Sequence, residues 1–390
     1  MLASSWKEFF AILRNDMLKL VSYSPTDDPT MWYRVRWPWQ SLAEKGLAVF
    51  ENHFGEDTSI SLDGPAVVLF QRTGLTHLPL MKKFKENGVR VVYDIDDDLP
   101  HLPESNPANL IVSPSREVAA RHHLALLNSP RMDLVLKDFA PFLKLKTVNV
   151  AEMAVRNFNA IIQSMKIADL VTVSTPSLKR TYSGWNVGKI AVLPNEEKQG
   201  EWTGIVRAPL LSRIVIGWSG GVTHYFEDLP PIQDAVARIM KENPTVHLHS
   251  LGIAEAGELF KSCPKERTFT EAWASWEEHK NRVAEMDIVL APSFSNPKFG
   301  RGKSDIRILQ GFMMGIPCVG SELTYGQTIR ESGGGFVANT SKEWYESISK
   351  LVKDSDLRRE LGANGKQYME SRVYETNTNM WMDTYQALLK

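Results

Sequence analysis

Short apolar runs, each closed by a turn and followed by a stretch of helical spacing, recur along most of this chain. In the first half they predict strands at 17–23, 47–51, 66–71, 89–94, 170–174 and 189–193, with helices at 37–45 and 78–87. Gly88 closes the second helix, because a residue without Cβ readily takes the left-handed conformation that ends one. After Pro194-Asn195 the pattern restarts, with strands predicted at 213–218, 245–252, 286–291, 317–321 and 335–338. Helices are predicted at 230–242, 305–314, 342–354 and 356–369, and the polar stretch 195–207 reads as a linker. Near-continuous apolar strands separated by helices predict parallel sheets covered on both faces. The expected fold is therefore α/β, with two doubly wound Rossmann-like domains facing each other across a cleft. Their expected extents are 1–195 and 196–370, with a C-terminal helix in 371–390 packing back on the first domain. Ligands of such sheets sit at the carboxyl ends of the strands.

Length agrees with this division, since 390 residues exceed what one core usually organises. The 45 Lys and Arg nearly balance the 46 Asp and Glu, so a polyanionic partner has to be held by a local basic patch. With only Cys263 and Cys318, a disulfide framework is not expected and a reducing, cytoplasmic compartment is. No apolar run reaches the roughly 18–20 residues that span a bilayer, so no transmembrane segment is expected. Residues 5–15, with Trp6, Phe9, Phe10, Ile12 and Leu13 flanked by Lys7 and Arg14, read as an amphipathic helix. It either packs on the first domain or makes a peripheral membrane contact.

Three segments carry candidate chemistry. VRVVYDIDDDL is a buried strand ending in Asp94, Asp96, Asp97 and Asp98, and carboxylates so close together call for a ligand, a proton or solvent. Its D-x-D also resembles the nucleophile motif of haloacid-dehalogenase-type phosphohydrolases, but that family's later acidic pair for magnesium is missing. IVIGWSGGVTHYFEDL runs a strand into Ser219, Gly220 and Gly221, where paired glycines let amides approach a phosphate, with His224 and Asp228 in the same connection. APSFSNPKFGRGKSDIRILQGFMMGIPCVGS places Lys298, Arg301, Lys303 and Ser304 in a loop before a helix, a grouping suited to an anionic diphosphate. Among 11 tryptophans, Trp37, Trp39 and Trp218 stand next to predicted loops and are the candidates for stacking on a sugar, whereas Trp185, Trp344 and Trp381 read as core or rim.

In order and spacing, ADLVTVSTPSLKRTY, VLPN, GWSGGVTHYFEDL, MDIVLAPS, KSDIRILQGFMMGIPCVGS and LRRELGANGKQYM resemble the GT-B nucleotide-sugar glycosyltransferases, close to the retaining enzymes of glycosyltransferase family 4. The resemblance runs from about residue 66 to the end of the chain. It implies transfer of a hexose or pentose from a nucleotide diphosphate sugar to an acceptor hydroxyl, with retention of configuration, no cofactor and no required metal. It implies that Ser219, Gly220, Gly221, Lys303 and Ser304 hold the donor diphosphate, reinforced by Arg301, with Lys303 as the principal catalytic residue. The family's usual Arg and Lys pair after the first strand of the second domain is lost here, and His224, nearby in the same connection, is a further donor-binding candidate. Gln310 would reach the nucleotide ribose, and Tyr33 and Arg34 would face the donor from the first strand-to-helix loop. Asp94 and Asp96 would contact sugar or acceptor, Asp94 lying about where relatives carry a histidine. Two positions that are acidic in that family are here Gly302 and Gln310, which opens a second reading: a nucleotide-sugar-binding or regulatory protein with impaired catalysis. Residues 107–150 form a possible acceptor-binding insertion with six cations and three acids, net +3. It would suit modified-base DNA or a lipid-linked acceptor as well as a glycan.

Overall fold

In the computed structural model the described residues are 17–59, 66–128, 145–207, 212–221, 227–252, 257, 259–294 and 296–390. The segment 5–15, His224 and the middle of the 107–150 stretch lie outside them.

The first sheet is built from β1 (Leu18–Ser24), β2 (Ala48–Phe54), β3 (Val67–Gln71), β4 (Arg90–Ile95), β5 (Leu170–Val173) and β6 (Ile190–Val192), in the order β2-β1-β3-β4-β5-β6. The second contains β7 (Ile214–Ser219), β8 (Val246–Gly252), β9 (Thr268–Ala272), β10 (Ile288–Ala291), β11 (Cys318–Gly320) and β12 (Gly335–Val337), in the order β12-β11-β10-β7-β8-β9. Every strand pair is parallel. All residues of β3, β5 and β10 are buried, as strands covered by helices on both faces must be. These are two doubly wound, Rossmann-like α/β sheets. In each, the strand order reverses beside the first strand, between β1 and β3 and between β7 and β10. Connections leaving neighbouring strands diverge there and open a crevice at their carboxyl ends.

Several elements depart from the sequence reading. β9 was not predicted, because the edge strand TFTEA is only partly covered and has no apolar run. The helix Trp276–Ala284 and the helix Glu322–Ser332 were likewise not predicted, the latter carrying Gly326 in its interior. The segment Pro297–Gly302, expected as loop, is a short helix started by Pro297 with Asn296 as its cap.

The chain passes between the sheets at 195–198 and again at 372–374, and the two crossings lie side by side. Glu197 N–H donates to Arg372 O at 3.2 Å, and Tyr374 N–H to Glu197 O at 3.0 Å. The first part of the expected linker is thus polar but not solvated, for Asn195, Glu196, Glu197 and Lys198 are all buried, whereas Gln199, Gly200, Thr203, Gly204 and Val206 are exposed. The last helix, Tyr374–Gln386, buries Trp381 and Tyr385 in the same cluster as Trp39, Leu18 and Leu20 of the first domain.

Candidate active-site cleft

At the end of β7 the chain makes a close approach to its neighbour. Gly252 ends β8 at φ +108°, and a Cβ there would stand 2.4 Å from Gly220 O. A Cβ on Gly220 would meet the Trp218 ring at 2.6 Å and Arg307 Nη2 at 2.9 Å. Both positions therefore need glycine. The Gly220 amide donates to Leu251 O at 3.0 Å, so this N–H is engaged within the sheet in the present arrangement. Arg307 governs the turn: its Nε donates to Ser219 O at 2.6 Å and its Nη1 to Tyr325 OH at 2.9 Å and Pro292 O at 3.2 Å. The sequence reading did not single out Arg307. Its available signal was a cation in the first turn of the helix that follows the basic loop.

The helix Pro297–Gly302 and Lys303 lie in the connection leaving β10 and pack on the first domain. Lys303 Nζ bridges the cleft to Asp97 Oδ1 at 2.7 Å and sits 4.5 Å from the Phe299 ring centroid. Ser304 Oγ accepts from Asn195 Nδ2 at 3.2 Å, and Gly302 O accepts from Thr175 Oγ1 at 3.3 Å. Arg301 is exposed, as is Gly221. Among the described residues, Ser219 and Lys303 have no partner in common: Arg307 takes the first and Asp97 the second. A Cβ at Gly302 would lie 3.0 Å from Leu178 and 3.1 Å from Asp98 Cβ, so the first domain occupies the space that an acidic side chain would need.

Across the cleft, the clustered carboxylates of the first domain go to different partners. Asp94 is fully buried, paired with Arg34 through Nη2–Oδ2 at 2.7 Å and Nε–Oδ1 at 3.1 Å, and it accepts from Thr172 Oγ1 at 2.6 Å. Arg34 also donates to Asn195 Oδ1 at 2.9 Å and to Leu193 O. Asp98 accepts from Thr181 Oγ1 at 2.9 Å and contacts His101 Nδ1 at 2.8 Å. Asp97 takes Lys303 on one oxygen and faces Arg72 Nη1 at 3.9 Å on the other. Asp96 is half-buried with Oδ1 unpartnered, and burial followed by the adjacent Asp97 pushes its carboxyl up to about 7.

The expectation that Arg34 and Tyr33 face a donor from an open loop is corrected: both are buried in a π-helical turn, Trp32–Arg36. Asp94 is corrected with them, since its oxygens are occupied by Arg34 and Thr172. The same pairing removes the phosphohydrolase reading, which needs Asp94 as an accessible nucleophile.

Tyr33 OH donates to Glu197 Oε1 at 2.6 Å and accepts from Gln310 Nε2 at 3.0 Å, while Gln310 Oε1 lies 3.0 Å from His279 Nε2. Trp202 Nε1 donates to the other Glu197 oxygen at 2.9 Å. Gln310 is therefore a buried interdomain hydrogen-bond partner in this conformation rather than an open ribose ligand. Burial pushes Glu197 up to about 7 and Glu196 up to about 8. The expectation for Trp37, Trp39 and Trp218 is corrected as well, because all three are buried, while Trp344 and Trp381 lie in the core and Trp185 at the rim, as read from the sequence. Trp37 and Trp39 pack in the core of the first domain and Trp218 in that of the second, so none of the three offers a ring face to a sugar.

Among the described residues no group of three His, Cys, Asp or Glu is arranged to hold a metal ion, and no helix is long and apolar enough to cross a membrane. Two shallow concavities, one lined by Phe260, Lys261 and Thr268 and the other by Met313, Lys366 and Met369, share no residue with this cleft.

No family model matches the chain, and no curated protein matches it by sequence. Solved structures do match. HepE from Anabaena, in complex with UDP and glucose, superposes with a TM-score of 0.58 at 13% identity over 95% of this chain and 99% of its own. WaaG, a glycosyltransferase involved in lipopolysaccharide biosynthesis, gives 0.56 at 12% identity over 95% and 99%. A putative UDP-N-acetylglucosamine 2-epimerase from Listeria monocytogenes gives 0.53 at 10% identity over 95% and 96%. TarM, bound to UDP and a GlcNAc-glycerol, gives 0.53 at 12% identity, and this chain spans 55% of its length. Two parallel six-stranded sheets, a doubled crossing between them and superposition over nearly the whole length of HepE, WaaG and the Listeria protein identify the architecture of this chain as GT-B.

Proposed function

We propose that this protein is a glycosyltransferase that moves a sugar from a nucleotide diphosphate sugar to an acceptor hydroxyl with retention of configuration. The observation that carries the reading is the position of Lys303. It leaves β10 beside the strand-order reversal of the second sheet and reaches across the cleft to the first domain. A fixed cation in a partly dry cleft stabilises the charge that develops on a departing diphosphate. Arg307 fixes the Ser219–Gly221 turn on the same face, so both donor-side segments are held before a ligand arrives. Retention follows the family resemblance: the acceptor attacks from the side the diphosphate leaves, and the departing phosphate oxygen takes the acceptor proton. In that scheme no protein nucleophile is required, which accords with Asp94 being locked in an ion pair. Asp96, the less encumbered carboxylate, is left to contact sugar or acceptor.

Titration with a panel of nucleotide diphosphate sugars, followed by assay of nucleotide diphosphate release, tests the reading. Wild-type protein should bind one donor and release its nucleotide slowly, and Lys303→Ala should lose turnover while keeping its fold. Near-normal turnover by that variant would refute the assignment.

The second reading, a binding or regulatory protein with impaired catalysis, is favoured by Gly302 and Gln310. The first sits where the other domain leaves no room for a side chain, and the second is engaged by Tyr33 and His279. Binding of a donor without any release of nucleotide would establish it. An epimerase with the same fold matches to a similar degree, so the assay also follows conversion of the free donor.

For the acceptor, two of the six cations of the 107–150 stretch have acidic neighbours. Arg116 faces Glu152 at 2.9 Å and Arg121 faces Glu104 at 2.8 Å, so both cations are compensated locally. A glycan or lipid-linked hydroxyl is the acceptor class we favour. Retention on DNA that falls steeply with salt would reverse that preference.

A further inference from the structure

Asp97 occupies an unusual place in the cleft. One carboxylate oxygen is 2.7 Å from Lys303 of the second domain, and the other is 3.9 Å from Arg72 of its own. Lys303 and Asp97 are each about one-fifth exposed, so the pair is partly desolvated but open to displacement by a ligand. Arg72 follows directly after β3 at φ +51°, a left-handed conformation that a non-glycine residue rarely takes. Its backbone N–H donates to Asp94 O at 3.0 Å, which fixes the guanidinium base at the carboxyl end of the first sheet. A carboxylate thus lies between two cations from opposite walls. The surroundings are closed down upon it, with Gly302 O held by Thr175 and Gly302 Cα packed toward Asp98 and Leu178.

We infer that Asp97 is a built-in competitor of the donor diphosphate: it holds Lys303 while the site is empty, and the incoming diphosphate displaces it toward Arg72. The inference rests on the donor reading given above and adds to it an exchange that sets donor affinity. A diphosphate carries more charge than one carboxylate and can engage Lys303 with several oxygens, so it can win the lysine. The displaced Asp97 keeps a cation, because Arg72 is already beside its second oxygen. The exchange therefore avoids leaving an unpaired carboxylate in a partly desolvated cleft, which would itself oppose donor binding. It also follows that the bridge between the domains is broken whenever the donor is seated.

Calorimetric titration of UDP, ADP, GDP and inorganic pyrophosphate into wild type, Asp97→Asn, Lys303→Gln and the double variant tests this. Removal of the competing charge should tighten binding of the preferred diphosphate about fivefold in Asp97→Asn, the scale of a partly exposed ion pair. In the Lys303→Gln background the same change should have a clearly smaller effect, since there is no lysine left to compete for and only the direct repulsion between Asp97 and the diphosphate is relieved. Equal or weaker binding by Asp97→Asn than by wild type would overturn the inference and leave the donor reading standing. The same holds for an undiminished effect of Asp97→Asn in the Lys303→Gln background. If wild type and Asp97→Asn both fail to bind any of the four probes, the inference and the donor reading fall together.

Discussion

Replacing Arg34 by methionine tests the claim that the Arg34–Asp94 pair is structural. The guanidinium is fully buried and satisfies Asp94, Asn195 Oδ1 and Leu193 O together, which ties the first turn of the chain to β4, to the end of β6 and to the interdomain crossing. Arg34→Met leaves Asp94 with Thr172 alone in a site without water access. Removing one partner of such a pair costs about 3–5 kcal/mol, most of it the penalty of the uncompensated charge. With a urea dependence of about 2–3 kcal/mol per molar for a domain of this size, the first-domain transition should move down by about 1–2.5 M. The double variant Arg34→Met/Asp94→Leu removes both charges and should recover most of that loss, because an apolar pair of similar volume needs no compensation. Urea unfolding followed by tryptophan fluorescence reads both values, and UDP affinity of the folded double variant should match wild type. If the single variant loses less than about 1 kcal/mol, the pair is not the buried anchor described here. If the double variant is no better than the single one, the charge argument fails.

Gln310→Glu should destabilise the protein by about 1–3 kcal/mol at pH 8, since it removes the donor to Tyr33 OH and adds a charge to a buried network that already holds Glu197; thermal melts check this. Gly252→Ala should lower stability by at least about 2 kcal/mol and weaken donor binding, because the new methyl meets Gly220 O in a left-handed backbone; denaturation and donor titration together read it. Stability should also fall as pH rises from about 5 to about 8. Glu197 and Glu196 have folded-state values near 7 and 8, above their ordinary range, so the folded state holds protons that the unfolded state has released. Urea midpoints across that window should decline, and Glu197→Gln should flatten the slope below pH 7.

Much of the architecture is present in the chain read alone. β3, β5 and β10 are apolar throughout because a strand covered on both faces has no solvent side, so their positions are readable from local composition. The edge strand β9 and the helix Trp276–Ala284 were not readable in this way, since partial exposure dilutes the apolar signal. Gly220 was visible as one of a glycine pair, but Gly252 acquires its meaning only from the carbonyl of Gly220 on the neighbouring strand.

For the candidate site, sequence placed cations and small residues at the carboxyl ends of β7 and β10, where strand-helix connections fix them locally. It could not say which charges meet. Asp94 and Arg34 are 60 positions apart, Lys303 and Asp97 are 206 apart, and Gln310 and Tyr33 are 277 apart. The first pairing depends on how the first sheet folds over its own connections, and the other two on how the two domains sit against one another. Local residue pattern therefore determined two parallel α/β sheets and the segments bordering a cleft. Tertiary packing decided which polar side chains are buried anchors and which remain at the mouth, because the desolvation that forces a buried charge to find a partner exists only once the domains have closed around it.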